Sequence, residues 1–321
     1  MTIRSSRLTA ALAGLTATAL VLTGCGGGTP QSPATTATGK IKVVASTDVW
    51  GSVARSVGGE EVEVRALISG GGVDPHSYQV TPADSAAVKN AGLVLVNGGG
   101  YDDAIGKLVP QDKLLIEAAK LDEHLNETKP DNPAEKDEHG HSHGNGEHNE
   151  HVWYELDTVS KVADELAGRL GDLKPDARAK FTANADKFKN EVGALDKRVH
   201  AFGEANKGAK VIATEPVAAN LISHAGLEDV TPEQFSKAVE EGNDPPAAAV
   251  AEMEKLITGK QAALLIYNPQ TESGVTKQVK AKAAAAGLPV VELTETLPEG
   301  KNYQQWMSDQ VDALAKALPK H

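Results

Sequence analysis

A single cysteine, Cys25, occurs in 321 residues, which rules out a disulfide framework and any metal or redox centre built on cysteine thiolates. Aromatic side chains are scarce as well, at 4% of a chain that is 40% hydrophobic. Apolar area must then come from aliphatic and small residues, which suits helices laid on sheets better than an all-β sandwich. Positive charge is in deficit: the formal net charge is −12, and an N-terminal leader carrying Arg4 and Arg7 but no acid would, once removed, leave about −14. A surface of that sign repels nucleic acid and anionic lipid, so neither is an expected partner. Also missing are a His-Glu-x-x-His helix, a Gly-x-Ser-x-Gly elbow and a phosphate-binding loop. With them goes most of the support for an enzyme, including a metalloenzyme, whose catalytic zinc keeps three protein ligands and an open water position.

The N-terminus reads as a secretory leader. Arg4 and Arg7 precede an uncharged stretch from Leu8 to Leu22, too short for the ~20 residues of a membrane-spanning helix. It closes on Leu22-Thr23-Gly24-Cys25, which resembles the lipobox of bacterial lipoproteins. That resemblance implies residues 1–24 as signal peptide, Cys25 as a lipidated N-terminus and a cell-membrane anchor facing outwards. Residues 25–40 are mostly Gly, Thr, Ser and Pro with a single charge at the end, a flexible tether.

From Ile41 onward, short apolar runs alternate with helical patterns. Ile41–Ala45, Val62–Leu67, Leu93–Val96 and Lys113–Ile116 read as strands, with helices over Val49–Val57 and Thr81–Asn90. A second series runs through strands at Lys210–Ala213, Ala263–Ile266 and Pro289–Val291, helices over Pro246–Thr258 and Val275–Ala286, and a last helix from Tyr303. Strands alternating with helices imply βαβ units and parallel sheets. The expected fold class is therefore α/β, with two lobes at residues 41–173 and 207–321. Between them, at 174–206, Phe181, Ala185, Phe188, Val192, Leu195, Val199 and Phe202 form one apolar stripe behind Pro175. From Asp176 to Ala205 such a helix would run ~45 Å. It reads as a stiff spine inside one chain, which disfavours wide domain closure and leaves the protein a monomer.

Histidine is where the sequence is dense. His139, His141, His143, His148 and His151 fall within thirteen residues, the first four inside an otherwise Pro, Gly and acidic stretch at 129–150 that is too polar to fold. Imidazole suits zinc and its neighbours, so this loop is expected to capture metal loosely. His151 differs from the rest because apolar Val152-Trp153-Tyr154 resumes directly after it. His76 lies in Gly71-Gly72-Val73-Asp74-Pro75-His76-Ser77-Tyr78, a turn after a strand, the position where open α/β sheets bind ligands. Alone it would read as a surface histidine.

Asp74-Pro75-His76-Ser77-Tyr78, the His-rich loop and His151-Val152-Trp153 resemble the zinc/manganese solute-binding lipoproteins of ABC importers, over nearly all of the chain beyond the tether. The resemblance implies two (β/α)4-like lobes joined by a rigid helix, a metal held in the cleft between them, and delivery to a membrane permease with its ATPase. It carries His76 and His151 over as the first two metal ligands. In the third position, after the first strand of the second lobe, stands Glu215. In the fourth, where the family usually has Asp, stands Glu295, one methylene longer. His224, nine residues beyond Glu215, is an outlying candidate.

Two imidazoles and two carboxylates can hold zinc, manganese or ferrous iron, and carboxylates favour harder ions. The His-rich loop tips the expectation slightly to zinc. A surface metal buffer or adhesin without a transporter would share every one of these residues and remains the alternative.

Overall fold

The computed structural model describes residues 39–72, 74–123 and 149–318. The leader, Cys25 and the loop histidines His139, His141, His143 and His148 lie outside the described residues. Among the described residues, no helix is long and apolar enough to cross a membrane.

Two four-stranded sheets, all parallel, organise the chain. The first contains β1 (Ile41–Thr47), β2 (Val62–Ile68), β3 (Leu93–Val96) and β4 (Leu115–Glu117), in the order β2-β1-β3-β4. The second contains β5 (Lys210–Ala213), β6 (Glu228–Asp229), β7 (Leu264–Tyr267) and β8 (Val290–Glu292), in the matching order β6-β5-β7-β8. Every residue of β3 and of β7 is buried, as befits central parallel strands covered by helices on both faces. In each sheet the order reverses beside the first strand, between β1 and β3 and between β5 and β7. The crevice beyond the carboxyl ends of those strands is the natural ligand position.

Local signals set the helix boundaries. The Thr47 hydroxyl accepts from the Trp50 amide to start α1 (Asp48–Gly58), and Thr81 with Asp84 forms a capping box on α2 (Pro82–Asn90). A short α3 (Asp103–Gly106) and α4 (Leu156–Leu173) complete the first lobe. The second lobe carries α6 (Ala219–His224), α7 (Glu233–Glu240), α8 (Ala247–Thr258), α9 (Gly274–Ala285) and α10 (Tyr303–Ala317).

The spine is α5, Arg178–Ala205, whose 28 residues span ~42 Å. It starts three residues later than Pro175 because residues 175–177 form a separate 3-10 turn. Its buried face is the stripe read from the sequence, with Phe181, Phe188 and Phe202 all buried. Each buried ring contributes about 1.5–3 kcal/mol of transfer free energy. This face packs on α1 and α4 of the first lobe and on α6 and α10 of the second.

The lobes are also joined directly. Tyr303, opening α10, donates its amide to Ser52 Oγ on α1 (2.9 Å) and its hydroxyl to the Trp153 carbonyl (2.8 Å). Asp48 on α1 accepts from the Gly70 amide (2.9 Å) and, across the cleft, from the Leu297 amide (3.0 Å). One continuous apolar cluster runs through both lobes and α5. A close-packed junction of this kind opposes wide opening.

Candidate metal centre

The carboxyl ends of both sheets converge on a cleft. His76 sits in the loop after β2. Its amide donates to Asp74 Oδ1 (2.9 Å), and Tyr78 OH pins the same loop to Asp84 Oδ2 at the start of α2 (2.8 Å). The imidazole stands edge-on to the Tyr101 ring, 5.1 Å between centroids. His151 is fully buried, flanked at right angles by Trp153 at 5.2 Å.

Hydrogen bonding settles the tautomer of His151. Asn149 Oδ1 accepts from both the His151 amide (2.9 Å) and ring Nδ1 (2.8 Å), while its Nδ2 donates to the Pro216 carbonyl of the second lobe (2.8 Å). The oxygen can only accept, so Nδ1 carries the proton and Nε2 is left with a free lone pair. That Nε2 is buried and has no hydrogen-bond partner.

His76 Nε2 is buried as well, and the two face a ring of carboxylates. Glu295 Oε2 lies 3.2 Å from His76 Nε2 and 4.0 Å from His151 Nε2. Glu240 Oε1 lies 4.0 Å and 3.5 Å from the same two atoms. Glu150 Oε1 is 3.5 Å from His76 Nδ1. One ligand atom each from His76, Glu150, His151 and Glu240 falls within 4.8 Å of the others, the spacing of donors around a single ion.

Each lobe supports its donors with a buried asparagine at its switch point. Asn97, just past β3, accepts from Trp50 Nε1 (3.1 Å) and donates to the Glu150 carbonyl (2.8 Å). Asn268, just past β7, donates to Glu295 Oε1 (2.7 Å) and also to Glu215 Oε1. Tyr101 OH donates to Glu295 Oε2 (2.8 Å), so Glu295 is held at both oxygens. Behind β3, Gly98, Gly99 and Gly100 have φ of 74°, 68° and 107°, which only glycine adopts without strain. At Gly100 a Cβ would stand 3.1 Å from Glu150 Oε2, so this turn gives Glu150 its room.

Of the residues singled out by the sequence, His76, His151 and Glu295 thus surround one point. Glu215 stands beside them, tied to Glu295 through the Asn268 amide and with its Oε2 buried and unpartnered. His224 does not face the cleft: its Nε2 lies 2.5 Å from Asp196 Oδ1 on α5. Glu150 and Glu240 were missed. Glu150 was absorbed into the polar loop, and α7, which ends on Glu240, was not recognised. Its start, Thr231-Pro232, repeats the Thr-Pro signal that marks α2 at Thr81-Pro82, and that was the clue available.

Charge in the cleft is unbalanced. Burial opposes protonation of His76, but Glu295, Glu240 and Glu150 outweigh it and push the imidazole up to about 10. Burial dominates at His151 and brings it down to about 4. Glu240 is raised to about 9 and Glu215 to about 7, by burial first and neighbouring carboxylates second. Burial raises Glu150 also. Glu295 falls below the usual range despite burial, because His76, His151 and Tyr101 favour its charge. Without a cation, such a cluster is tolerable only by retaining protons; a divalent ion meets the same need. A cavity of about 520 Å³ lined by Asp74, His76, Ser77, Glu240, Thr271 and Glu272 leads to it.

Two parallel-sheet lobes on a long helix are the architecture of a class, the solute-binding proteins. Within it, the family model for the periplasmic component A of the zinc-uptake complex, ZnuA, matches residues 43–317, and the chain belongs to that family. The family is one of solute-binding proteins, not of enzymes. The manganese-binding lipoprotein MntA of Bacillus subtilis is 27% identical over 184 residues, 55% of this chain and 53% of its own. The alignment therefore spans about half the length of that relative. The manganese ABC transporter substrate-binding lipoprotein PsaA of Streptococcus pneumoniae is 23% identical over 322 residues, covering 94% of this chain and 96% of its own. Among solved structures, the periplasmic zinc-binding protein TroA of Treponema pallidum superposes with a TM-score of 0.69 at 18% identity, over 87% of this chain and 99% of its own. A crystal structure of ZnuA gives 0.66 at 21% identity, with the same coverage. At such identities the superpositions speak for the fold: two parallel-sheet α/β lobes on a long helix.

Proposed function

We propose that the chain is the metal-capturing component of an ABC importer, holding one divalent transition metal in the cleft and handing it to a membrane permease driven by an ATPase. Cys25 anchors it to the cell membrane as a lipoprotein. The observation that carries this reading is the convergence of two buried Nε2 atoms, of His76 and His151, on the carboxylates of Glu240 and Glu295 from the opposite lobe. His76, His151 and Glu295 are the core ligands. Glu240, Glu150 and Glu215 compete for the remaining position.

The cargo we favour is zinc. Any site of nitrogen and oxygen donors binds Zn2+ more tightly than Mn2+, and these carboxylates narrow that margin without reversing it. The histidines of the loop add a local supply of zinc-preferring donors. The test is metal competition on chelator-stripped protein, read by native mass spectrometry. One tight ion per chain, lost in His76→Ala and in His151→Ala, supports the reading. Undiminished tight binding in both variants would overturn it. A manganese affinity equal to or above that for zinc would overturn the zinc assignment alone.

A further inference from the structure

Away from the cleft, the outer side of the spine brings together three residues that the capture site does not use. We propose that Asp196, His200 and His224 form a second, more exposed binding site for a zinc-class divalent cation.

Asp196 and His200 lie one turn apart on α5, so both project from the same side of that helix. His224 is the last residue of α6. Its Nε2 is 2.5 Å from Asp196 Oδ1, and His200 Nε2 is 3.6 Å from the same oxygen. The two imidazoles stand 4.6 Å apart between centroids, at 50°. A ligand atom from each of the three falls within 4.8 Å of the other two. One carboxylate and two borderline imidazoles, with a side left open to solvent, make a donor set for zinc rather than for calcium or magnesium.

The convergence is built into the packing. Gly203 on α5 lies against Ala225, directly after His224, where a Cβ would stand 2.0 Å from the Ala225 carbonyl oxygen. Only glycine there lets α5 pass close enough to the end of α6 for His200 to meet His224. A surface His–Asp pair would need Asp196 and His224 alone. The approach of a second imidazole, tilted at 50° to the first and beside the same carboxylate oxygen, is what a shared ion explains and a hydrogen bond does not. The site also has a structural consequence. Asn220, on α6, donates to the His151 carbonyl (3.3 Å), so an ion clamping the end of α6 to α5 braces the helix that touches a cleft ligand.

The test uses the full chain, stripped of metal and titrated with Zn2+ alone. Diethyl pyrocarbonate labelling, mapped residue by residue with mass spectrometry, reports the availability of each imidazole. Beyond the first equivalent, Zn2+ should suppress labelling of His200 and of His224 together. In His200→Ala, whose side chain is 59% exposed, protection of His224 should require about tenfold more Zn2+ or worse. Asp196→Asn should weaken protection of both. His76→Ala, which removes a cleft donor, should leave protection at His200 and His224 unchanged. Labelling that Zn2+ does not alter overturns the proposal, and so does His224 protection indifferent to His200→Ala. Because the readout is local to the spine, it fails or succeeds independently of the cleft assignment.

Discussion

Asp48 is placed to hold the two lobes in register, and removing its carboxylate should cost both stability and metal affinity. The side chain is 8% exposed and accepts from two backbone amides, Gly70 in the first lobe and Leu297 in the second. Asp48→Ala strands those donors unequally. Leu297 is 5% exposed, so its amide loses its partner without gaining water, at about 1–3 kcal/mol. Gly70 is exposed, and its amide recovers a water at a cost of about 1 kcal/mol or less. Against this, burial raises the Asp48 carboxyl above its ordinary range more strongly than its hydrogen bonds lower it, so truncation also relieves a desolvation penalty. The net expectation is a loss of about 2 kcal/mol, or roughly 4–6 °C in Tm for a domain of this size. Leu297 lies two residues beyond Glu295, and Thr296 between them donates to the Gly70 carbonyl (3.2 Å). Zinc affinity should therefore fall about tenfold although no donor is touched. Urea unfolding of chelator-stripped protein measures the first effect, and competition with a zinc-chelating dye measures the second. Unfolding within about 0.5 kcal/mol of wild type would refute the clamp. A destabilised variant with wild-type affinity would refute its coupling to Glu295.

Asn149→Ala removes the acceptor that fixes the His151 tautomer and should cost about 10–100-fold in tight zinc binding; deleting residues 138–148 should spare the tight site, whereas extending the deletion through Asn149 should not, as isothermal titration would show. Glu240→Gln and Glu215→Gln separate the competing donors: a large loss for Glu240 and a modest one for Glu215 is expected from their positions, and the reverse order would place Glu215 at the ion. Affinity should climb with pH from 5 to 9, because below about 10 the ion must displace the proton that neighbouring carboxylates hold on His76, and below about 9 that on Glu240. Titrations at pH 8 in buffers of different ionisation enthalpy should reveal about two protons released per ion. Release near zero at that pH would return the pH dependence to ordinary imidazoles that titrate near 6.5.

The architecture was legible because its signals are local and repeated. Period-two and fully apolar runs marked the central strands, and the stripe from Phe181 to Phe202 marked α5 residue by residue. His76 and His151 became visible only through the motifs around them. What escaped depends on contacts between segments far apart in the chain. Asn97 and Asn268 look like ordinary loop residues, and only the strand orders bring each beside the donors it supports. Helix α7 offers just Phe235 and Val239 as buried apolar positions, too few for a periodic signal, so Glu240 stayed hidden with it. Asn149 looked like the end of a polar loop and turned out to orient a buried imidazole.

The two halves also show why their sequences need not repeat although their sheets share one strand order. Shared topology requires only buried apolar runs at the strands and a small polar group at each switch point: asparagine serves at both, Asn97 and Asn268, while the strand runs differ residue by residue. What differs is the charge each half presents. The first lobe supplies both imidazoles, whereas the second supplies Glu215, Glu240 and Glu295. Alone, the acidic half would face its own repulsion, already evident in the raised Glu215 and Glu240. Alone, the imidazole half would hold an ion by two nitrogens and one flanking carboxylate. Joining them through Tyr303, Asp48 and the α5 aromatics sets the donors face to face before any metal arrives, so little ordering entropy remains to oppose binding. The stored repulsion then works for capture, since the ion relieves it on entry.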